Sequence, residues 1–433
     1  MLLNSRFLLF FFLILLTLTF NKAYSATISP EDSIEPYCGG VDVDEFIKDN
    51  KIENLEIRIN NNRNWSKNLL KAVLEFNSNK EKSEHENWFT FRINKNYKKK
   101  FKSRVIVRFK DKNFSCKFKA KIRITGDLWW HLGWKKGNPV SSIHVELLDG
   151  HINSITRFKL LLPKSRYGEN EVFTSLILKE VGFLAPRTFM VNSTINGQKL
   201  NYIFQEDLRK EFLENLQMRE GPILEGDERF TIMMPYQKNT SKINLSRIAN
   251  KKFLLKNELN ARTALSSVSN LNLIYLQHHQ TKKIINQNET LHINSNKFFT
   301  DKVNKERHEI FEALIYALDA AHHLSFDDRR FYFDAINQNY LPIYYDGKSN
   351  IINEKQIANL HELKVNVSLD AKKGAQKAIK LINQIHHNQL IKKLNVNGFY
   401  IKETDYMKLV KKIVNRLKII SKSDPIKINF LNP

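Results

Sequence analysis

The sequence predicts an α+β protein in two lobes, a β-rich one followed by a mainly helical one, behind an N-terminal accessory segment. Three observations carry this expectation. Residues 103–125 alternate apolar and polar side chains in two runs, the pattern of half-buried paired strands. Residues 141–207 continue with short strand-like runs around a single helical pattern at 169–181. Residues 248–279, 368–395 and 403–420 then place apolar residues at helical spacing. The expected bounds are 26–100 for the accessory segment, 101–207 for the small lobe and 208–433 for the large lobe.

A chain of 433 residues with 42% hydrophobic composition has ample material for a core. Residues 1–25 read as a secretory signal: Arg6 precedes the apolar run Leu8–Phe20, and Ala23-Tyr24-Ser25 is a small-x-small cleavage site. The expected location is therefore secreted or periplasmic, with an uncleaved membrane anchor as the alternative. The two cysteines, Cys38 and Cys116, are a pair in an exported protein or two buried thiols. A formal charge of +24 and a pI near 9.7 favour anionic partners such as an envelope surface or an acidic glycan. No nucleic-acid motif accompanies the charge, and the lysines are scattered, so a solvated basic surface accounts for most of it.

In order along the chain, Leu55, Ile57 and Ile59 alternate like a strand, and Leu69–Phe76 reads as a short helix. Val105, Val107 and Phe109 lead into a turn and then Cys116, Phe118, Ala120, Ile122 and Ile124, with a basic opposite face. Trp129 and Trp130, beside Asp127 and His131, are either a ligand wall or a hydrophobic plug. Phe158–Pro163 is a buried-type strand carrying Lys159, and a helix follows with Glu171 near its start and Gly182 at its end. Thr188–Ile195 and Leu200–Gln205 flank Asn196-Gly197, a strong hairpin signal. Lys159 and Glu171 are candidates for a phosphate-contacting ion pair, with Glu180 as the alternative acid. The plain reading is a snorkelling lysine and a glutamate favoured by the helix dipole.

The richest polar stretch is Asp319–Ile351. An amphipathic helix ends before it, a loop with His322, His323, Asp327, Asp328, Arg329 and Arg330 follows, and two β-prone runs end on Asp346-Gly347. Such a layout brings carboxylates from distant positions to one site, as metal-assisted phosphoryl transfer requires. A solvated loop leading into an ordinary hairpin is the competing account, because Asp-Gly is a common turn dipeptide.

These residues resemble a family. Phe158–Pro163, Arg166, Glu171, Gly182–Thr188, Asn196-Gly197 and Phe204-Gln205-Glu206, followed by His323-Leu324, Asp328–Tyr332 and Pro342–Gly347, look like the spore-coat-protein-H (CotH) kinase family. The strand-lysine, helix-glutamate order and the interval from Asp328 to Asp346 also resemble protein kinases. The resemblance implies a bilobal atypical protein-kinase-like fold that moves phosphate from ATP to protein Ser/Thr with Mg²⁺ or Mn²⁺. It implies nucleotide contacts from Lys159, Glu171, Gln205 and Glu206 and metal ligation by Asp328 and Asp346. Asp319 or Asp328 would be the catalytic base. Two alternatives stand beside this one: a catalytically inactive envelope or coat interaction protein with a basic surface, and a kinase acting on a glycan or small molecule.

Overall fold

Alternation in the first half runs on until the sheet meets itself. The computed structural model describes residues 52–83, 93–109, 115–227, 245–280, 299, 301–325, 328–353 and 367–423. The signal segment, Cys38 and Asp327 lie outside them. Nine strands come first: β1 (Ile52–Ile59), β2 (Phe101–Phe109), β3 (Ser115–Ile124), β4 (Leu132–Lys135), β5 (Asn138–Ser141), β6 (Ile143–Leu147), β7 (Arg157–Leu161), β8 (Thr188–Ile195) and β9 (Gln198–Glu206). Seven of them close into a barrel in the order β1-β2-β3-β6-β7-β9-β8, while β4 and β5 form a separate ribbon.

This closure corrects the expected fold class. The α+β composition stands, but the architecture is a closed barrel with appended sheets and helices, not a bilobal kinase-like pair of lobes. The deciding element is β1, in the segment expected to be an accessory layer. It pairs antiparallel with β2, placing Ile57 opposite Val105, and parallel with β8, placing Leu55 opposite Ser193. One strand thus joins both free edges and removes them.

Side-chain alternation explains why these residues make staves. In β3, Cys116, Phe118, Ala120, Ile122 and Ile124 are buried inside, while Lys117, Lys119, Lys121 and Arg123 point outward. Cys116 is disulfide-bonded. The Asn196-Gly197 turn takes φ values of 47° and 85°, the left-handed pair that a tight hairpin between β8 and β9 requires. Trp65, Leu69, Ala72 and Val73 of α1 (Asn62–Ser83) join the barrel core, and Trp65 meets Phe101 edge-on with centroids 5.3 Å apart.

A second core lies outside the barrel. It gathers α2 (Glu169–Glu180), and later helices follow α3 (Lys210–Asn215), α4 (Lys251–Leu254) and α5 (Glu258–Gln280) along the chain. Those later helices are α6 (Lys302–Ala317), α7 (Leu369–Gln384), α8 (His387–Val396) and α9 (Glu403–Lys422). Phe173 of α2 packs edge-on against Phe399 and Tyr406, tying this helix to the α8–α9 connection and to α9. A four-stranded sheet completes the described residues, with β10 (Ile223–Gly226), β11 (Ser246–Ile248), β12 (Arg330–Asp334) and β13 (Asn339–Pro342) in the order β11-β10-β12-β13. Beyond β13 the chain pairs once more, Ile343 with Leu184, which carries Tyr344–Asp346 past the start of α2.

Candidate metal and phosphate site

β7 alternates in the same way as β3, with Phe158 and Leu160 in the barrel and Lys159 on the outer wall. Its register sets Lys159 between His144 of β6 and Gln205 of β9. Three polar side chains therefore stand in a row across the barrel's outside. Asp207, just past β9, accepts from His144 Nε2 at 2.8 Å and lies 3.7 Å from the Lys159 amine. Burial would raise the Asp207 carboxyl, but the Lys159 charge and the hydrogen bond from His144 hold it far below the usual range.

The expected Lys159–Glu171 ion pair does not form. Lys159 donates to the Tyr345 hydroxyl at 2.6 Å. Glu171 instead accepts from Gln205 Nε2 at 3.1 Å and from the Tyr344 hydroxyl at 2.8 Å. Strand alternation cannot reveal this, because the side chain that captures the lysine comes from a residue 186 positions away. Burial pushes the Glu171 carboxyl up to about 7, with Arg166 opposing and Asp346 reinforcing the shift. Glu180, the alternative acid, pairs with Lys393. Glu206 is held by Arg187 in a bidentate pair, at 2.6 and 2.8 Å.

Asp346 lies where sheet and helices meet. Its φ is 47°, and that of Lys348 is also 47°, so the turn visits the left-handed region at two non-glycine residues. Gly347 lies between them because a Cβ there would fall 2.6 Å from the Tyr344 ring and 2.9 Å from Ala320. The turn presents the Asp346 carboxylate to the Arg166 guanidinium, which follows the barrel strand β7. Burial disfavours the Asp346 carboxylate, but Arg166, then His322 and Lys348, hold it below the usual range. Oδ1 of Asp346 meets the Arg166 guanidinium and makes no hydrogen bond among the described residues.

Asp328 joins it from the loop after α6. Its Oδ2 takes Ser325 Oγ at 3.1 Å and His322 Nε2 at 3.0 Å. Burial lowers the His322 pKa, Asp328 outweighs it, and the ring ends above its ordinary value. His322, Asp328 and Asp346 each offer a ligand atom, all within 4.8 Å of one another. His323 faces the other way: Nδ1 lies 2.9 Å from the Tyr345 carbonyl, and burial drives the ring down to about 3. Asp319, two residues past α6, is not one of these three and has its carboxylate 3.6 Å from Arg416 of α9.

Cations surround the carboxylates. Lys159, Arg166 and Arg330 all approach the Tyr345 ring, at 4.9, 5.3 and 3.8 Å from its centroid. Arg330 also pairs with Glu225 of β10. Of the residues expected from sequence, Lys159, Glu171, Gln205, Asp328 and Asp346 converge here, and Glu206 and Asp319 serve other pairs. Arg166, legible only as one residue of a motif, is the central cation. Tyr345 was legible only as one residue of the Pro342–Gly347 motif and Glu225 only as part of an acidic, Gly-bearing loop, while Asp207 carried no signal beyond being polar.

Two carboxylates fit a hard divalent cation, which binds proteins through one or two such groups and takes its remaining ligands from water and phosphates. The observation in favour of that fit is that buried Asp346 Oδ1, though paired in charge with Arg166, accepts no hydrogen bond. His322, already bonded to Asp328, orients that carboxylate. No protein-family model and no curated protein matches the chain. Among the described residues, no helix is long and apolar enough to cross a membrane.

Proposed function

We propose that the chain is an exported phosphotransferase, CotH-like in its site residues, that moves the ATP γ-phosphate to a Ser/Thr hydroxyl of a protein. The observation that carries this reading is the convergence of Asp328 and Asp346 with His322 beside three cations, buried Arg166 and Arg330 and half-buried Lys159. Phosphoryl transfer needs little else from a protein than positioned positive charge and a held metal.

In this reading Asp346 and Asp328 hold Mg²⁺ or Mn²⁺, which supplies charge neutralisation on the phosphates. Lys159, Arg166 and Arg330 line the path of the phosphate oxygens. The acceptor hydroxyl oxygen bonds to the γ-phosphorus while the bond from that phosphorus to the β,γ-bridging oxygen breaks, and ADP leaves. Of the two candidate bases, Asp328 stands inside the group and Asp319 does not, so the hydroxyl proton is assigned to Asp328. Arg166 keeps Asp346 ionised at neutral pH.

One observation favours a rival. Arg166 already neutralises Asp346, which suits a catalytically silent interaction protein. The two separate in calorimetry and in transfer of labelled phosphate from ATP to protein and glycan acceptors. MgATP binding that is lost in Asp346→Ala, with label passing to protein, supports the enzyme. Absence of both in the wild-type chain overturns it, and label passing only to glycan replaces the acceptor.

A further inference from the structure

The stretch Asp127-Leu128-Trp129-Trp130-His131, which the phosphotransferase reading leaves without a role, reaches the Asp346–Lys348 turn through Trp130 and Lys348. Its anchor is His131, which is buried, with Nδ1 3.0 Å from Ser142 Oγ. Gly126 makes room for that ring, since a Cβ there would fall 2.0 Å from it. The anchored histidine holds the two indoles that precede it at the rim.

The indoles are not a plug. Trp129 is 39% exposed and Trp130 half-buried, and their rings meet edge-on at 5.7 Å. Each carries a lysine: Lys164 Nζ is 5.7 Å from the Trp129 centroid, and Lys348 Nζ is 4.5 Å from that of Trp130. Lys348 follows Asp346 by two residues, and two residues span at most about 7 Å. The Trp130 ring is thus tied to the metal-facing turn through one side chain. A half-buried aromatic face at the rim of a cationic site, with the Lys348 ammonium over it, has the layout of a nucleotide pocket.

We propose that Trp130, backed by Trp129, is the subsite for the planar base of the nucleotide. Lys348 leaves the ring for the phosphates when the base arrives. Aromatic platforms accept any base through its π-face, so the subsite provides affinity with little choice among bases. This inference rests on the phosphotransferase reading, and its test separates the two.

The full chain, Trp130→Leu and Trp130→Phe are titrated by calorimetry with MgATP and with magnesium tripolyphosphate, which has the phosphates and no base. The expected result is about a tenfold weaker MgATP affinity in Trp130→Leu, with tripolyphosphate affinity unchanged and MgATP affinity kept in Trp130→Phe. Unchanged MgATP affinity in Trp130→Leu overturns the subsite and leaves the phosphate site standing. So does an equal loss for both ligands. Wild-type chain that binds neither ligand overturns the phosphotransferase reading, and the subsite with it.

Discussion

Arg166 and Asp346 form an ion pair with both side chains nearly out of water, at 5% and 13% exposure. One comes from the loop between β7 and α2 and the other from the turn after β13, so the pair joins segments distant in the chain. Removing one partner of a buried pair leaves the other charge desolvated and uncompensated, which costs about 3–5 kcal/mol. Arg166→Met is therefore expected to lower unfolding free energy by about that amount in urea titrations. The double variant Arg166→Met/Asp346→Leu recovers a large part of it. A single-variant cost below about 1 kcal/mol shows that water compensates the remaining charge.

Glu171 makes a pH prediction. Its folded carboxyl titrates near 7, above the ordinary 4.5, because burial disfavours the charge more than Arg166 favours it. The folded state holds the proton more tightly than the unfolded chain. The resulting stabilisation is fully present below about 4.5 and is lost as pH rises through about 7. Relative to Glu171→Gln, the wild-type chain should lose on the order of 2–3 kcal/mol across that window. Thermal melts of both proteins at pH 4.5 and 7.5 measure the difference, and parallel curves would refute a raised carboxyl.

The staves of the barrel were legible because burial on one face leaves a period of two, as Cys116 to Ile124 shows. The Asn196-Gly197 hairpin was legible because only a few residues tolerate its backbone. What joins β1 to β8 was not, since parallel pairing between residues more than a hundred positions apart leaves no local pattern. The same limit applies at the site. Alternation puts Lys159 on a polar face, but its partner there is chosen by how Tyr345 arrives from the far side of the molecule. Carboxylates at Asp328 and Asp346 were visible as a spacing, whereas Arg166 was visible as one residue of a motif and its pairing with Asp346 was not.

Asp319 and Asp328 should differ sharply in a transfer assay. Asp328 shares the group of ligand atoms with Asp346 and is oriented by His322 and Ser325. Asp319 faces Arg416. Asp328→Asn is expected to reduce kcat by at least about 10²-fold, the scale of a lost general base. Asp319→Asn should stay within a few-fold. The reverse order of effects would move the proton acceptor to Asp319 and leave Asp328 as a metal ligand alone.

Gly374 of α7 is the place where helix propensity and packing give opposite predictions. Alanine is the better helix former by about 1 kcal/mol, so propensity alone makes Gly374→Ala stabilising. Yet a Cβ on Gly374 would fall 2.1 Å from the Glu309 carbonyl oxygen and 2.5 Å from the Ile310 nitrogen of α6. Those atoms are helix backbone and cannot swing aside as a side-chain tip can, so the two helices must separate. Overpacking of this kind costs about 1–3 kcal/mol and more when backbone has to move. The clash should win, and Gly374→Ala should lower Tm by several degrees, while alanine at the exposed neighbour Lys373 leaves it nearly unchanged. The site should respond too: α6 carries Glu312, which holds the buried Arg329 at 2.9 Å, directly beside Asp328. A shift of α6 large enough to admit the methyl group would therefore weaken Mn²⁺ binding together with the melt, whereas Lys373→Ala would alter neither.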